Sequence, residues 1–218
     1  NSSCLVGLLN PFDNISKFEG FKNKSMSVFS MELIPRISRA QSMDVLTSQA
    51  NLAGYRAVIT ATSLYSKSMS MMMTAAGTVA PAKVFVMGVG VAGLQAIATA
   101  KRLGAVVSAT DVRRAAAEQC ESLGASFIMV EDENDAEDES GYAKEMSKEY
   151  QDKQRQLISD HIKQQDIIIC SALIPGKKAP ILLDEISTKS MKPGSIIIDM
   201  AIERGGNCEL SKIDEIVE

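Results

Sequence analysis

The chain has 218 residues, a formal net charge of −4 and 45% hydrophobic residues, a composition typical of a soluble globular protein with one large or two small domains. The negative charge excludes general affinity for nucleic acid, and no apolar run reaches the roughly 18 residues of a membrane span. The four cysteines lie far apart and form no CxxC pair, which indicates a reducing compartment and argues against a disulfide framework or a zinc site.

The N-terminal region of the chain contains fewer elements than a complete domain. Residues 27–34 have the pattern of a strand that ends at a proline, and residues 41–66 have the small-residue face of a long, closely packed helix. A methionine-rich connector follows at residues 71–77. We therefore predict an incomplete N-terminal α/β domain of the catalytic type in residues 1–70, which a further N-terminal portion would complete, and a second α/β domain in residues 71–218.

The most informative segment runs from Lys83 to Asp111. An apolar run leads to three glycines, Gly88, Gly90 and Gly93, and an amphipathic helix and a second apolar strand then lead to the aspartate. Strand, glycine turn, helix, strand and acid together form the dinucleotide-binding fingerprint in its full context. The alternative is a glycine-rich turn between a strand and a helix that binds no ligand.

Each glycine of the fingerprint has a physical role. Gly88 allows the tight turn, Gly90 has no side chain to keep a pyrophosphate from the backbone, and Gly93 lets the helix pack closely on the strand. The free N–H groups at the start of the helix face the phosphates. The fingerprint therefore predicts a site for a dinucleotide at this turn.

Asp111 bears on the choice of cofactor. Its carboxylate can accept hydrogen bonds from both ribose hydroxyls and should repel a 2′-phosphate, which favours NAD over NADP. Arg113 and Arg114 follow at once, and an arginine near this position can instead hold that phosphate. A solvated helix start is the other interpretation of the two arginines.

The rest of the chain continues the alternation of strands and helices. A block of seven carboxylates in residues 131–139 interrupts it and is expected to form a mobile, solvated loop. The predicted elements are a helix at Arg113–Leu123, strands at Ser126–Val130, Asp166–Ser171 and Ser195–Met200, and helices at Tyr142–Gln165 and Leu182–Ser190. The isoleucine-rich strands indicate a buried parallel sheet. The predicted fold class is α/β, a doubly wound parallel sheet of the Rossmann type plus part of a second α/β domain.

Polar residues follow several of the strands at the edge where ligands of α/β sheets bind. The first group consists of Arg36, Arg39, Gln41 and Asp44. Helix capping with an Arg–Asp surface pair and a role in ligand binding are equally supported for this group. The segment 171–176 follows the fourth strand and is placed to contact the nicotinamide half of a dinucleotide, whereas the turn at residues 205–208 has a weaker claim. Gly141 and Tyr142 form either a loop hinge or part of a lid.

His161 is the only histidine, and it lies in a charged helical stretch far from these loops. We therefore predict a surface or packing histidine rather than a general base. Oxidation of an alcohol or amine needs a proton acceptor, whereas hydride transfer between two nicotinamides needs only proximity and orientation. The visible chain offers positioning groups but no convincing acid–base pair, although a base could lie in a missing segment.

Most of the chain, from about residue 27 onward, strongly resembles the NAD(H)-binding domain of proton-translocating nicotinamide nucleotide transhydrogenases. The matching stretches are residues 31–46, 51–57, 73–79, the fingerprint, 141–146, 172–177 and 205–208. Alanine dehydrogenase is the nearest relative of this family. It would share the fingerprint and the Ala-Leu-Ile-Pro-Gly stretch but would not be expected to carry the pattern from Pro35 to Asp44.

The resemblance implies roles for individual residues. Arg36, Gln41 and Asp44 would form the loop that holds the NAD(H) nicotinamide against the NADP(H) nicotinamide of a partner domain, with Thr47 as a further contact. The implied cofactor-binding residues are Gly88, Gly90, Val91, Ala92, Gly93 and Leu94 at the turn, Asp111, Val112 and Arg113 around the adenosine ribose, Tyr142 and Met146 on a mobile loop, and Ala172 and Leu173 after the fourth strand.

The resemblance also implies partners. The domain would be a homodimer that binds NAD(H) and docks onto an NADP(H)-binding domain above a transmembrane domain, where hydride transfer is coupled to proton movement. It would face the cytosol or an organelle matrix, peripheral to the membrane and without inserting into it. An NAD-dependent amino-acid dehydrogenase of the alanine dehydrogenase type stays open as an alternative, as does a module that only binds NAD.

Overall fold

A computed structural model describes residues 3–35, 37–130, 148–174 and 177–218. The chain divides into two compact units, Asn1–Ala50 and Asn51–Glu218. This division falls earlier than the predicted boundary between residues 70 and 71, because helix residues such as Ala57 and Ala61 are buried in the core of the second unit.

The first unit is built around a small parallel pair of strands. Strand β1 (Cys4–Gly7) pairs in parallel with β2 (Ser27–Ser30), and helix α1 (Ile15–Asn23) connects them. The predicted strand 27–34 is shorter than expected, since the chain turns into a 3-10 helix at Met31–Leu33. The Glu32 carboxylate stabilises this turn by accepting hydrogen bonds from the Ser30 hydroxyl (2.6 Å) and the Asn10 backbone N–H (2.7 Å).

A second 3-10 helix, Ser38–Met43, leads into the long helix α2 (Val45–Leu64). The predicted helix 41–66 is therefore confirmed, although it begins slightly later and ends slightly earlier. The segment predicted as a connector contains a short antiparallel hairpin, β3 (Met72–Thr74) and β4 (Gly77–Val79), whose residues are all exposed.

The second unit is a five-stranded sheet in which every neighbouring pair is parallel. The strands are β5 (Lys83–Met87), β6 (Val106–Thr110), β7 (Ser126–Phe127), β8 (Ile167–Cys170) and β9 (Ile196–Asp199), in the order β7-β6-β5-β8-β9. This order reverses direction between β5 and β8, which is the switch point of a doubly wound fold. The predicted fold class is confirmed.

Helices cover the sheet, and the described ones have the bounds α3 (Val91–Arg102), α4 (Ala115–Ser122), α5 (Lys148–Ile162) and α6 (Glu185–Lys189). One face of the sheet packs on α3 through residues such as Val86, Ile97 and Ile169. The other face packs on α5 through Phe85 and Ile158. Burial of each such side chain contributes about 1.5–3 kcal/mol to the stability of the fold. The sheet therefore holds the loops at its edges in defined positions.

His161 is part of this packing, as predicted. Its ring lies edge-on to Phe85, with 4.7 Å between the ring centroids. Its Nε2 atom lies 2.8 Å from the Ser108 hydroxyl and 3.0 Å from the Gln165 amide nitrogen. Burial, followed by the positive charge of Lys83, lowers the pKa of His161. The neutral ring is therefore the form that fits this environment.

Candidate functional site

The turn after β5 requires glycine at its first position. Gly88 has a positive φ of 95°, a backbone conformation that residues other than glycine rarely adopt. A Cβ atom at Gly88 would also lie 2.8 Å from the backbone nitrogen of Ala172, on the segment after β8. The backbone N–H of Gly88 donates to the carbonyl of Thr110 (2.9 Å), which ties the turn to the end of β6.

Gly93 is required by helix packing. A Cβ atom there would lie only 1.9 Å from the carbonyl oxygen of Gly88, so the first turn of α3 sits directly on the glycine turn. Gly54 on helix α2 has a similar role that the sequence did not predict, because a Cβ atom there would lie 2.0 Å from the carbonyl oxygen of Ala92. Close packing on two sides therefore fixes the start of α3.

Gly90 differs from these glycines. Its backbone (φ −79°, ψ −167°) is open to most residues, and a Cβ atom there would meet no heavy atom within 4 Å. Gly90 is exposed and is the N-cap of α3, without a side-chain cap. The backbone N–H groups of Val91, Ala92 and Gly93 in the first turn have no partner within the helix. The turn thus leaves open space beside donors that suit an anion.

Asp111 lies beside this turn at the end of β6 and is buried, whereas its partner Arg113 is half-buried. One carboxylate oxygen accepts from the backbone N–H of Val89 (2.7 Å) and from Nη2 of Arg113 (3.0 Å). The other accepts from the backbone N–H (2.9 Å) and Nε (3.0 Å) of Arg113. Arg113 also donates to the Val89 carbonyl (3.1 Å). Val112, between them in the chain, is half-buried.

The segment after β8 meets the glycine turn from the other side. The Ser171 hydroxyl donates to the carbonyl of Gly88 (2.9 Å), and the Ser171 backbone N–H donates to the carbonyl of Met87 (2.8 Å). Ala172 is half-buried, whereas Leu173 is 46% exposed. The structure therefore brings Ala172 and Leu173 to the same edge of the sheet as Gly88, Gly90, Val91, Ala92, Gly93, Leu94, Asp111, Val112 and Arg113.

Cys170, the last residue of β8, does not supply a reactive thiol to this edge. Its side chain is fully buried. Burial raises the pKa of the Cys170 thiol well above its ordinary value, and the nearby Asp199 carboxylate raises it further. A protonated thiol is a poor nucleophile, so this cysteine is structural.

In the first unit, the predicted polar group lies around the start of α2. One oxygen of Asp44 accepts from the backbone N–H of Thr47 (2.9 Å) and the other from the Thr47 hydroxyl (2.7 Å). Asp44 is thus a helix cap, one of the two interpretations that the sequence supported. Gln41 is exposed on the preceding 3-10 helix. Arg36, Tyr142 and Met146 lie outside the described residues.

Within residues 3–35, 37–130, 148–174 and 177–218, no group of three or more histidine, cysteine, aspartate or glutamate side chains could hold a metal ion. Among the described helices, none has both the length and the apolar character that crossing a membrane requires.

Comparison with known proteins identifies relatives of this chain. It is 56% identical over 216 residues to an NAD(P) transhydrogenase alpha subunit of Rhodospirillum rubrum, covering 98% of this chain and 56% of that protein. It is 28% identical over 194 residues to alanine dehydrogenase of Bacillus subtilis, covering 88% and 45% of the two chains. This chain thus spans about half the length of the curated relatives it matches.

Solved structures and family models agree with these relatives. The crystal structure of transhydrogenase from Sinorhizobium meliloti matches with a TM-score of 0.88 and 54% identity, over 99% of this chain and 58% of that chain. The model of the alanine dehydrogenase/PNT C-terminal domain matches residues 57–218, and the model of the corresponding N-terminal domain matches residues 1–53. The predicted resemblance is confirmed, and the chain belongs to the alanine dehydrogenase/PNT family.

Proposed function

We propose that this chain binds NAD(H) and is the hydride-donating component of a nicotinamide nucleotide transhydrogenase. The open space beside Gly90 is the observation that best supports nucleotide binding. Packing explains why Gly88 and Gly93 are glycines, but neither backbone conformation nor protein packing explains Gly90. A pyrophosphate that approaches the backbone there, and accepts from the N–H groups of the first helical turn, supplies the explanation.

The Asp111–Arg113 pair supports NAD(H) rather than NADP(H) as the bound cofactor. The guanidinium of Arg113 is directed back to the Asp111 carboxylate and the Val89 carbonyl. The carboxylate already accepts two backbone N–H groups, so the diol of an adenosine ribose would replace the bonds from the Arg113 side chain. A 2′-phosphate at the same place would meet the carboxylate and be repelled.

The proposed reaction is the transfer of a hydride between two nicotinamides. C4 of the NADH ring loses a hydride and the ring becomes NAD⁺, while C4 of NADP⁺ on the partner domain gains it and becomes NADPH. No proton is gained or lost in this step, so the chain needs no acid–base pair. Its task is to hold one ring at the correct distance and angle.

The residues that would hold the ring remain proposals. We assign this role to Arg36, Gln41 and Asp44, with Thr47 behind Asp44. The exposed position of Gln41 on its 3-10 helix leaves its amide available to a ligand or partner. Asp44 and Thr47 bond to each other at the start of α2, which would keep the loop in a defined conformation. Tyr142 and Met146 are proposed to close over the bound nucleotide.

The proposed partners follow from the names of the relatives. A protein called the alpha subunit of an NAD(P) transhydrogenase implies further subunits of the same complex. We propose an NADP(H)-binding domain and a proton-translocating transmembrane domain as the other components, and a homodimer as the state of this chain. The chain would lie peripheral to the membrane, facing the cytosol or an organelle matrix.

A pair of assays tests the proposed function. The full-length protein is given NADH with an NADP⁺-loaded partner domain in one assay, and NADH with pyruvate and ammonium in the other. We expect hydride transfer only in the first. Turnover only in the second would mean an amino-acid dehydrogenase, and turnover in neither would favour a module that only binds NAD.

Gln41→Asn tests the positioning role within the first assay. The shorter side chain keeps the amide but withdraws it by one methylene group. We expect the single-turnover rate to fall by about 10- to 100-fold while the dissociation constant of NADH stays within a few-fold. Gln49→Asn, at another exposed glutamine of the same unit, is the matched control. A normal rate with a collapsed affinity would show that Gln41 binds rather than positions.

A further inference from the structure

Asn207 is a fully buried polar residue in the turn after β9. Its side-chain oxygen accepts from the backbone N–H of Ala172 (3.0 Å). Its side-chain nitrogen donates to the carbonyl of Ala172 (3.0 Å) and to the carbonyl of Pro180 (2.8 Å). The Asn207 amide is therefore hydrogen-bonded to both the backbone N–H and the carbonyl of Ala172, a residue 35 positions away in the chain.

Asp199 in turn holds Asn207. One oxygen of this carboxylate, at the end of β9, accepts from the backbone N–H groups of Asn207 (2.8 Å) and Cys208 (3.0 Å). The other oxygen accepts from the backbone N–H of Ala201 (3.0 Å). Gly206 has a φ of 81°, and a Cβ atom there would lie 2.9 Å from the Asp199 carboxylate. The turn is thus shaped around Asp199, which fixes where the Asn207 amide points.

The hydrogen bonds between the Asn207 amide and Ala172 lie beyond the end of the sheet. The ladder between β8 and β9 ends at the pair Cys170 and Asp199, beyond which Met200 N–H still donates to the Cys170 carbonyl (3.0 Å). Ala172 lies two residues past that end, against the Gly88 backbone. The strands are held by their own ladder, so the bonds of Asn207 serve the segment that leaves the sheet at the switch point.

We propose that Asn207 is a positioning residue that places the Ala172–Leu173 segment against the nicotinamide half of the bound nucleotide. This proposal rests on the proposed function, because the segment matters for hydride transfer only if a nicotinamide lies on it. Asn207 acts through the Ala172 peptide, and Asp199 orients Asn207. An apolar side chain at position 207 would leave the N–H and carbonyl of Ala172 without their partners and free the peptide to rotate.

The test compares Asn207→Ala, which affects the segment after β8, with a matched variant at the opposite end of β8. Asp166, just before β8, joins the first residue of β5 to the segment before β9, since its carboxylate accepts from the Lys83 backbone N–H (2.8 Å) and the Lys192 ammonium (3.0 Å). Both Asn207→Ala and Asp166→Ala remove a polar clamp. The readouts are the dissociation constant of NADH and the single-turnover rate of hydride transfer to an NADP⁺-loaded partner domain, measured well below the melting temperature.

For Asn207→Ala we expect the rate at saturating NADH to fall by about 100-fold, since small misplacements of reacting groups have effects of that size, with the dissociation constant raised less than about fivefold. Asp166→Ala should keep the rate within about twofold of the original protein, because its effect falls on stability and not on position. A folded Asn207→Ala protein with an undiminished rate overturns the proposal. Absence of transfer by the original protein would instead overturn the proposed function.

Hydrogen exchange of the unmutated protein decides the matter if Asn207→Ala does not fold. The Ala172 amide should be protected before NADH is added, with exchange slowed at least about 100-fold relative to an unstructured peptide. It should gain little further protection when NADH binds. An Ala172 amide that exchanges freely until NADH is added would show that the nucleotide, and not Asn207, orders the segment.

Discussion

Gly90→Ala separates ligand binding from stability at the fingerprint. Alanine is a poorer N-cap than glycine by up to about 1 kcal/mol. Against this, replacing glycine where the backbone is compatible stabilises by about 0.4–1 kcal/mol, because the unfolded chain has less freedom. The new methyl group meets no atom within 4 Å. The two effects offset each other, so the melting temperature should move by no more than about 2 °C.

The dissociation constant of NADH should change far more. A methyl group at Gly90 keeps the pyrophosphate from the backbone N–H groups of the first turn of α3. A hydrogen bond to a charged group contributes about 1.5–3 kcal/mol, so the loss of one such bond raises the dissociation constant roughly 10- to 150-fold. The assay is titration of NADH fluorescence on each protein, beside a thermal melt of the same sample.

Two other glycine substitutions are the controls. Gly93→Ala places a methyl group 1.9 Å from the Gly88 carbonyl oxygen, and overpacking of this kind costs about 1–3 kcal/mol or more. Gly20→Ala adds a methyl group within helix α1, also with no atom within 4 Å, and should stabilise the chain by about 0.5–1 kcal/mol. A Gly90→Ala protein that binds NADH as tightly as the original would refute the assignment of the open space to the pyrophosphate.

Three further outcomes are expected. Asp111→Asn should narrow the difference in affinity between NADH and an analogue that lacks the adenosine 2′-hydroxyl, since the carboxylate is the proposed acceptor; an unchanged difference would contradict the ribose assignment. The lowered pKa of His161 means that the unfolded chain binds more protons just below about pH 6.5, so the free energy of unfolding should fall as pH drops through that range. The loss of stability with falling pH should be smaller in His161→Gln. An equal loss in thermal melts of both proteins would contradict the role of His161. The Thr110 hydroxyl is buried without a partner in the described ranges of the chain. Thr110→Val should therefore raise the free energy of unfolding by about 1 kcal/mol in denaturant titrations. A free energy of unfolding below that of the unmutated protein would mean that the hydroxyl is paired.

The doubly wound unit could be predicted from sequence because its signals are local and strong. The glycine turn needs particular residues at fixed spacing, and strands such as Ile167–Cys170 are buried on both faces, so they appear as continuous apolar runs. Local signals also gave both interpretations of Asp44. Capping of α2 depends on residues three positions apart, a range that sequence patterns describe well.

Elements without such signals could not be predicted. Helix α1 buries none of its residues, and β1 is four residues long, so neither shows a clear apolar period. The hairpin of β3 and β4 has no buried side and therefore no alternation of apolar and polar residues. The turn at residues 205–208 had only a weak claim, and the role of Asn207 within it could not be predicted, because its partner Ala172 is brought to it only by the pairing of β8 with β9.

The glycine turn and the segment after β8 form one hydrogen-bonded assembly, and this decides how variants there must be measured. Gly88 contacts Ala172, Ala172 is held by Asn207, and Asn207 is held by Asp199. A change at any of these positions disturbs packing, so it lowers NADH affinity partly by reducing the folded fraction. A change at Gly90 disturbs no packing. Dissociation constants must therefore be referred to the folded fraction of each variant, because only then does a weakened affinity identify a residue that faces the nucleotide.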